Sequence, residues 1–172
     1  MVSADLNYNG LNPADVAVSN SDNDAAGITV SPTAGLVTTE AGGTAQFTVV
    51  LNTLPVADVV IGLSSSDATE GTVAPASLTF TAANWNVAQA VTVTGVGDFL
   101  DDGNIAYSIL TAPAASADPN YNGLNPSNVA VSNTDDDVAG TTVTPTAGLV
   151  TTEAAGTAQF TSPHSSACFA GI

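Results

Sequence analysis

The stretch "TAQFTVVL" (Thr44–Leu51) alternates in polarity: Ala45, Phe47, Val49 and Leu51 fall on one side, Gln46 and Thr48 on the other. A period of two marks a β-strand with one buried face, because successive side chains of an extended backbone point to opposite sides. The pattern recurs further along the chain. Val91 and Val93 alternate with Thr92 and Thr94, and Ile105, Tyr107 and Ile109 with Ala106 and Ser108. Turn-forming clusters separate these runs, predicting strands over 28–31, 44–51, 58–64, 77–81, 88–94, 104–110 and 128–133. No segment carries the 3.6-residue period of a helix. The pattern predicts an all-β fold, a seven-stranded antiparallel immunoglobulin-like β-sandwich.

The strands belong to a tandem repeat. "SADLNYNGLNPADVAVSNSDND" (Ser3–Asp24) returns as "SADPNYNGLNPSNVAVSNTDDD" (Ser116–Asp137), and "GITVSPTAGLVTTEAGGTAQFT" (Gly27–Thr48) as "GTTVTPTAGLVTTEAAGTAQFT" (Gly140–Thr161). Asp5 recurs as Asp118 and Glu40 as Glu153, a spacing of 113 residues in both pairs. A period of that length is a whole domain rather than a solenoid turn. The chain divides into residues 1–24, the closing strand segment of a preceding repeat; 25–137, a complete sandwich; 138–161, the opening strands of a following repeat; and 162–172, a tail outside the repeat. His164 and Cys168, the one histidine and the one cysteine, both lie in that tail.

Charge narrows the function classes. The 172 residues carry 16 Asp and Glu and no Lys or Arg, a formal charge of −16. Nucleic-acid binding requires cationic side chains to neutralise phosphates, an anionic membrane surface repels this chain, and nucleotide phosphates find no Lys or Arg. Yet 44% of residues are hydrophobic, which separates the chain from disordered acidic tails. One cysteine makes no intramolecular disulfide. Residues 1–20 lack the basic start and apolar centre of a signal peptide, while the composition has an extracellular character. The expectation is a piece of a longer exported protein at the cell surface or beyond it.

If successive strands alternate in direction, the connections after the first, third and fifth strands and the exit of the seventh lie at one end. Those places hold Glu40; Asp67 and Glu70; Asp98, Asp101 and Asp102; and Asp135, Asp136 and Asp137. Nine of the eleven acidic residues of the complete unit are thereby predicted at one pole, with Asp58 and Asp118 toward the other. Two carboxylates about 5 Å apart repel by roughly 3 kcal/mol at an effective dielectric of about 20. A folded state stable by only about 5–15 kcal/mol must splay such groups, protonate them or bind divalent cations. The donors are all oxygen, which suits Ca2+ rather than zinc or copper. The competing reading is a solvated acidic rim that binds no specific ion.

"TTEAGGTAQFTVVL", "SDATEGTV", "SLTFTAANWNVAQAVTVTGVGDFLDDGN" and "NTDDD" together resemble a Calx-beta domain, a family found in sodium–calcium exchangers and, as repeats, in large bacterial secreted and adhesin-type surface proteins. The resemblance covers residues 28–137 and fragments of both flanks. It implies a seven-stranded sandwich with calcium at one tip, where Glu40, Asp67, the Asp98–Asp102 loop and Asp135–Asp137 are the corresponding ligands. Gly97, Phe99 and Leu100 depart from the family by interrupting the acidic loop. Asp22, Asp24 and Glu153 take the ligand positions of the incomplete units.

Trp85 is read as a plug at the opposite end of the sandwich, against a sugar-stacking platform. Tyr121 is read as pinning the long "DPNYNGLNP" connection. Catalysis finds little support, since a triad or a Cys–His pair must draw on the tail, and no enzymatic activity is expected. The leading expectation is a calcium-binding structural repeat of an extracellular protein, a Ca-stiffened spacer or adhesive stalk unit whose partners are neighbouring repeats. The alternatives are a subunit of a self-assembling filament joined by strand exchange, and a carbohydrate- or ice-binding module meeting a glycan or other surface ligand. Neither nucleic acid nor direct membrane contact is expected.

Overall fold

The computed structural model describes residues 2–162 and 164–166. Its strands are β1 (Ile28–Ser31), β2 (Leu36–Thr39), β3 (Thr44–Leu51), β4 (Val59–Ser65), β5 (Gly71–Ala74), β6 (Ser77–Phe80), β7 (Gln89–Gly95), β8 (Ile105–Thr111), β9 (Ala115–Ser116), β10 (Val129–Thr134), β11 (Ala139–Thr141) and β12 (His164–Ser166). One sheet has the order β1-β3-β7-β5. The other has the order β2-β10-β8-β4-β6, with β9 also paired to β4. The two form the β-sandwich that the alternation predicts. Among the described residues no helix is long and apolar enough to cross a membrane.

The inward residues are those the period of two selects. Phe47, Val49 and Leu51 of β3 and Val91 and Val93 of β7 face Ile61 of β4, Phe80 of β6, Ile109 of β8 and Val129 of β10, all buried. Each such side chain stabilises the fold by about 1.5–3 kcal/mol through the water it sheds. Truncating Phe47 to Ala would cost about 3–5 kcal/mol. Trp85 packs partly buried against this core, and its carbonyl accepts the N–H of Leu51 at 3.1 Å. Tyr121 is buried, and its hydroxyl bonds Thr53 through the backbone N–H, the carbonyl and Oγ1 at 3.0, 2.7 and 2.8 Å.

The seven predicted strands form, shifted by a residue or so, and β2, β5 and β9 are additional. β2 lies parallel to β10, so the architecture is mixed rather than wholly antiparallel. The reason is that two passes of the chain each divide between the sheets. β1 pairs with β3 in one sheet, and past Pro32–Gly35 the same pass continues as β2 in the other. β5 pairs with β7, and past Pro75 the pass continues as β6 against β4. Each divided pass still crosses the sandwich once, so the alternation of direction survives.

The incomplete repeats reproduce local structure but not burial. Asn7 N–H donates to Asp5 Oδ1 at 2.9 Å, as Asn120 N–H does to Asp118 Oδ1 at 2.9 Å. Yet Val18 is 88% exposed where its counterpart Val131 is 4%, and Phe160 is 62% exposed where Phe47 is 1%. At the other end Thr144 bridges Thr161, and β11 pairs β12 with Thr141 opposite His164, the registers of Ser31 with Thr48 and Ile28 with Leu51 moved on by one repeat. The backbone pairing thus runs on to Ser166 although the sequence repeat ends at Thr161. Cys168 lies outside the described residues.

Candidate metal centre

Four connections meet where β2, β4, β7 and β10 end. Glu40 follows β2, Asp67 and Glu70 lie between β4 and β5, Asp98, Asp101 and Asp102 follow β7, and Asp135, Asp136 and Asp137 follow β10. Two groups form within this set. Glu40, Asp135 and Asp137 each offer a carboxylate oxygen, and these oxygens lie within 4.8 Å of one another. Glu70, Asp98 and Asp102 do the same.

Backbone donors hold the first group. Asp135 Oδ1 accepts the Asp137 N–H at 2.8 Å and Oδ2 the Gly103 N–H at 2.7 Å, while the Asp135 N–H donates to Asn104 Oδ1 at 3.1 Å. The Asp137 and Gly103 N–H groups hold the Asp135 carboxyl below its ordinary pKa. Glu40 Oε2 accepts the Asp136 N–H at 3.4 Å. Desolvation raises the Glu40 pKa; the Asp136 N–H opposes this, and the charges of Asp135, Asp98 and Asp137 add to it. Asp137 is raised by desolvation and by the charges of Asp136, Asp135, Asp98 and Asp101. The residue is half-buried, and its Oδ2 is shut from solvent with no hydrogen-bond partner among the described residues.

The remaining acidic residues are less alike. Asp101 Oδ2 accepts the Ala139 N–H at 2.8 Å, tying the loop after β7 to the segment beyond β10. Asp136 reaches the first group through its backbone rather than its carboxylate. Asp67 stands apart, capping its own turn: its Oδ1 accepts both the hydroxyl and the N–H of Thr69, at 2.6 and 3.0 Å, and those bonds lower its pKa. Asp118 lies at the opposite end and is buried, its Oδ2 accepting the Val56 N–H at 2.8 Å.

Beneath the acidic pole lies a polar set that alternation alone does not pick out. Asn133 and Thr38 follow Val131 and Leu36 in the inward register of β10 and β2, and both are buried. Thr38 Oγ1 bonds Asn133 Oδ1 at 2.9 Å and the Tyr107 hydroxyl at 3.1 Å. Asn133 Nδ2 donates to the Val96 carbonyl at 2.8 Å and to Glu70 Oε2 at 3.4 Å. The usable signal is a polar residue at an inward strand position, because burial of an amide is tolerated only when it is bonded.

No family model matches the chain, and no curated protein does either. Solved structures similar to it include the apo form of the Calx CBD1 domain, at 15% identity and TM-score 0.49, covering 66% of this chain and 100% of that one. SSP-19, an MSP-domain-like protein of Caenorhabditis elegans, has 17% identity and TM-score 0.44 over 62% of this chain and 99% of its own. A type I cohesin–dockerin complex of Clostridium thermocellum contributes a chain at 10% identity and TM-score 0.41, covering 69% of this chain and 99% of that one.

Proposed function

We propose that the chain carries a calcium-binding, Calx-beta-like structural repeat of a secreted or cell-surface protein, acting as a spacer or stalk unit. The observation that carries this reading is Asp137. Its Oδ2 is buried without a partner among the described residues, beside Glu40 and Asp135, in a chain that has no lysine or arginine to satisfy it. Burying an unpaired carboxylate oxygen is costly, and a cation at that point removes the cost. The neighbouring donors are carboxylate oxygens, the hard ligand type that calcium takes in sixes to eights. Glu70, Asp98 and Asp102 supply a second seat. Bound there, calcium would supply positive charge; the protein residues fix the oxygens and tie the loop after β7 to the segment beyond β10.

The test is thermal unfolding in calcium and in excess chelator, with magnesium as control. An ion that binds only the folded state adds RT ln(1 + [L]/Kd), about 2.7 kcal/mol at a hundred times Kd. The expected result is a higher Tm in calcium, absent for Asp137→Asn combined with Glu70→Gln. Equal melting in calcium and chelator contradicts the reading.

The exposed copies support a second reading, a filament joined by strand exchange. Val16 and Val18 repeat the buried Val129 and Val131, and Phe160 repeats the buried Phe47. In the complete unit those seats are filled by its own strands, so exchange replaces like with like and requires high concentration. Sedimentation that stays monomeric at millimolar protein rejects it. A module for glycans or ice would draw on the outer face of the four-stranded sheet, where Thr44, Thr94 and Thr72 stand in register across three strands.

A further inference from the structure

The polar set below the pole has a direction. The Val96 carbonyl and the Glu70 carboxylate can only accept, so both must face the Asn133 NH2, which leaves Asn133 Oδ1 toward Thr38. Thr38 spends its one hydroxyl proton on that oxygen, so the Tyr107 O–H is the donor in the bond to Thr38. Three donors in series, Tyr107 to Thr38 to Asn133, therefore end on Glu70 Oε2. Hydrogen bonds in series polarise one another in a low-dielectric interior.

The surrounding backbone is shaped for this series. Gly71 faces Gly95 across the β5–β7 pair. A Cβ on Gly71 would strike the Tyr107 hydroxyl, and one on Gly95 would strike the Thr39 carbonyl and Asn133 Oδ1. The Glu70 carbonyl is fixed as well, accepting the Val96 N–H at 3.0 Å. Glu70 itself is 7% exposed and Asn133 is 1% exposed, so neither side chain has solvent to reorient in.

We propose that Asn133 is a positioning residue for the Glu70 seat: the Tyr107–Thr38–Asn133 series holds the Glu70 carboxylate toward Asp98 and Asp102 before a divalent cation arrives. This rests on the calcium reading above. Groups that orient a metal ligand through hydrogen bonds typically alter affinity about 10–100-fold when removed. The seat formed by Glu40, Asp135 and Asp137 makes no bond to this series and should be indifferent to it.

The experiment is calorimetric titration of the full chain with calcium, for the wild type and for Thr38→Val, Tyr107→Phe and Glu40→Gln. Thr38→Val and Tyr107→Phe each delete one hydroxyl and keep the packed volume, so two independent variants probe the series without emptying the core. Both are expected to weaken one class of calcium binding about tenfold and leave the other unchanged, whereas Glu40→Gln weakens the other class. A second readout needs no metal. The Asn133 side-chain amide protons should exchange slowly with solvent in the chelator-treated wild type and markedly faster in Thr38→Val. Wild-type affinities in both folded hydroxyl variants overturn the positioning role alone. A wild type that takes up no calcium overturns it together with the reading on which it rests.

Discussion

Gly71→Ala is the sharpest perturbation of the packing under the pole. The added methyl would occupy the place of the Tyr107 hydroxyl, with the ring carbons Cζ and Cε2 only 2.5 and 2.7 Å away. The ring must therefore move as a whole, and its bond to Thr38 is lost with it. Overpacking of this kind costs about 1–3 kcal/mol, and the lost hydrogen bond about 0.5–1.5 kcal/mol, together about 1.5–4.5 kcal/mol. For a unit of this size that lowers Tm by roughly 6–18 °C. Gly62→Ala is the control, because the nearest atom to its new methyl is Ala112 Cβ at an ordinary 3.5 Å. Both substitutions share the same gain from a less flexible unfolded chain, so their difference isolates the clash. The assay is circular-dichroism melting and urea unfolding, both in excess chelator so that metal binding does not enter. In a Tyr107→Val background, where the ring is gone, the Gly71→Ala penalty should shrink below about 1 kcal/mol. A Gly71→Ala protein that melts with Gly62→Ala refutes this account of the interior.

Other expectations follow from single contacts. Tyr121→Phe removes the hydroxyl that binds Thr53 three ways and should cost about 1–3 kcal/mol in urea unfolding, since the half-buried Thr53 loses all three bonds. Asp118→Ala strips the Val56 and Asn120 N–H groups and should lower Tm by several degrees, while Asp5→Ala, its copy in an exposed segment, should leave Tm unchanged. Metal-free stability should peak at mildly acidic pH. Glu40 and Asp137 bind protons more tightly folded than at their ordinary 4.5 and 3.8, so the stability they withhold at neutral pH returns as pH falls through their raised values. Asp135 and Asp67 are lowered from 3.8, so their contribution is present above that value and is lost as pH falls through their lowered ones. A Tm in chelator that climbs without a maximum from about pH 4 to 8 contradicts that balance.

The strands of this chain were legible wherever one face is buried and the other wet, because burial writes itself into alternation, as in Thr44–Leu51. β2, β5 and β9 were not. In Leu36–Thr39 the inward position after Leu36 is the polar Thr38 while Val37 is exposed, and in Gly71–Ala74 the buried position is a glycine, so neither run alternates in polarity; β2 owes its place to a parallel partner some 95 residues away, with Leu36 opposite Val131. The count of passes is unchanged by that omission, because β2 is the second half and β5 the first half of passes already counted, and β9 is a two-residue pairing within the connection from β8 to β10. Alternation of direction could not tell which carboxylates face one another. That depends on backbone donors such as the Gly103 N–H, which holds Asp135, and on Thr69, which keeps Asp67 in its own turn. Asn133 was visible as a strand residue, yet its role required its partners on β2, after β7 and before β5.

Calcium titration of the full chain by calorimetry, beside Asp137→Asn, tests the central claim most directly. The account predicts saturable binding at the pole with two ions per chain, one of them lost in the variant, and little heat from magnesium. Injections that give only dilution heat, or identical isotherms for the two proteins, would contradict it.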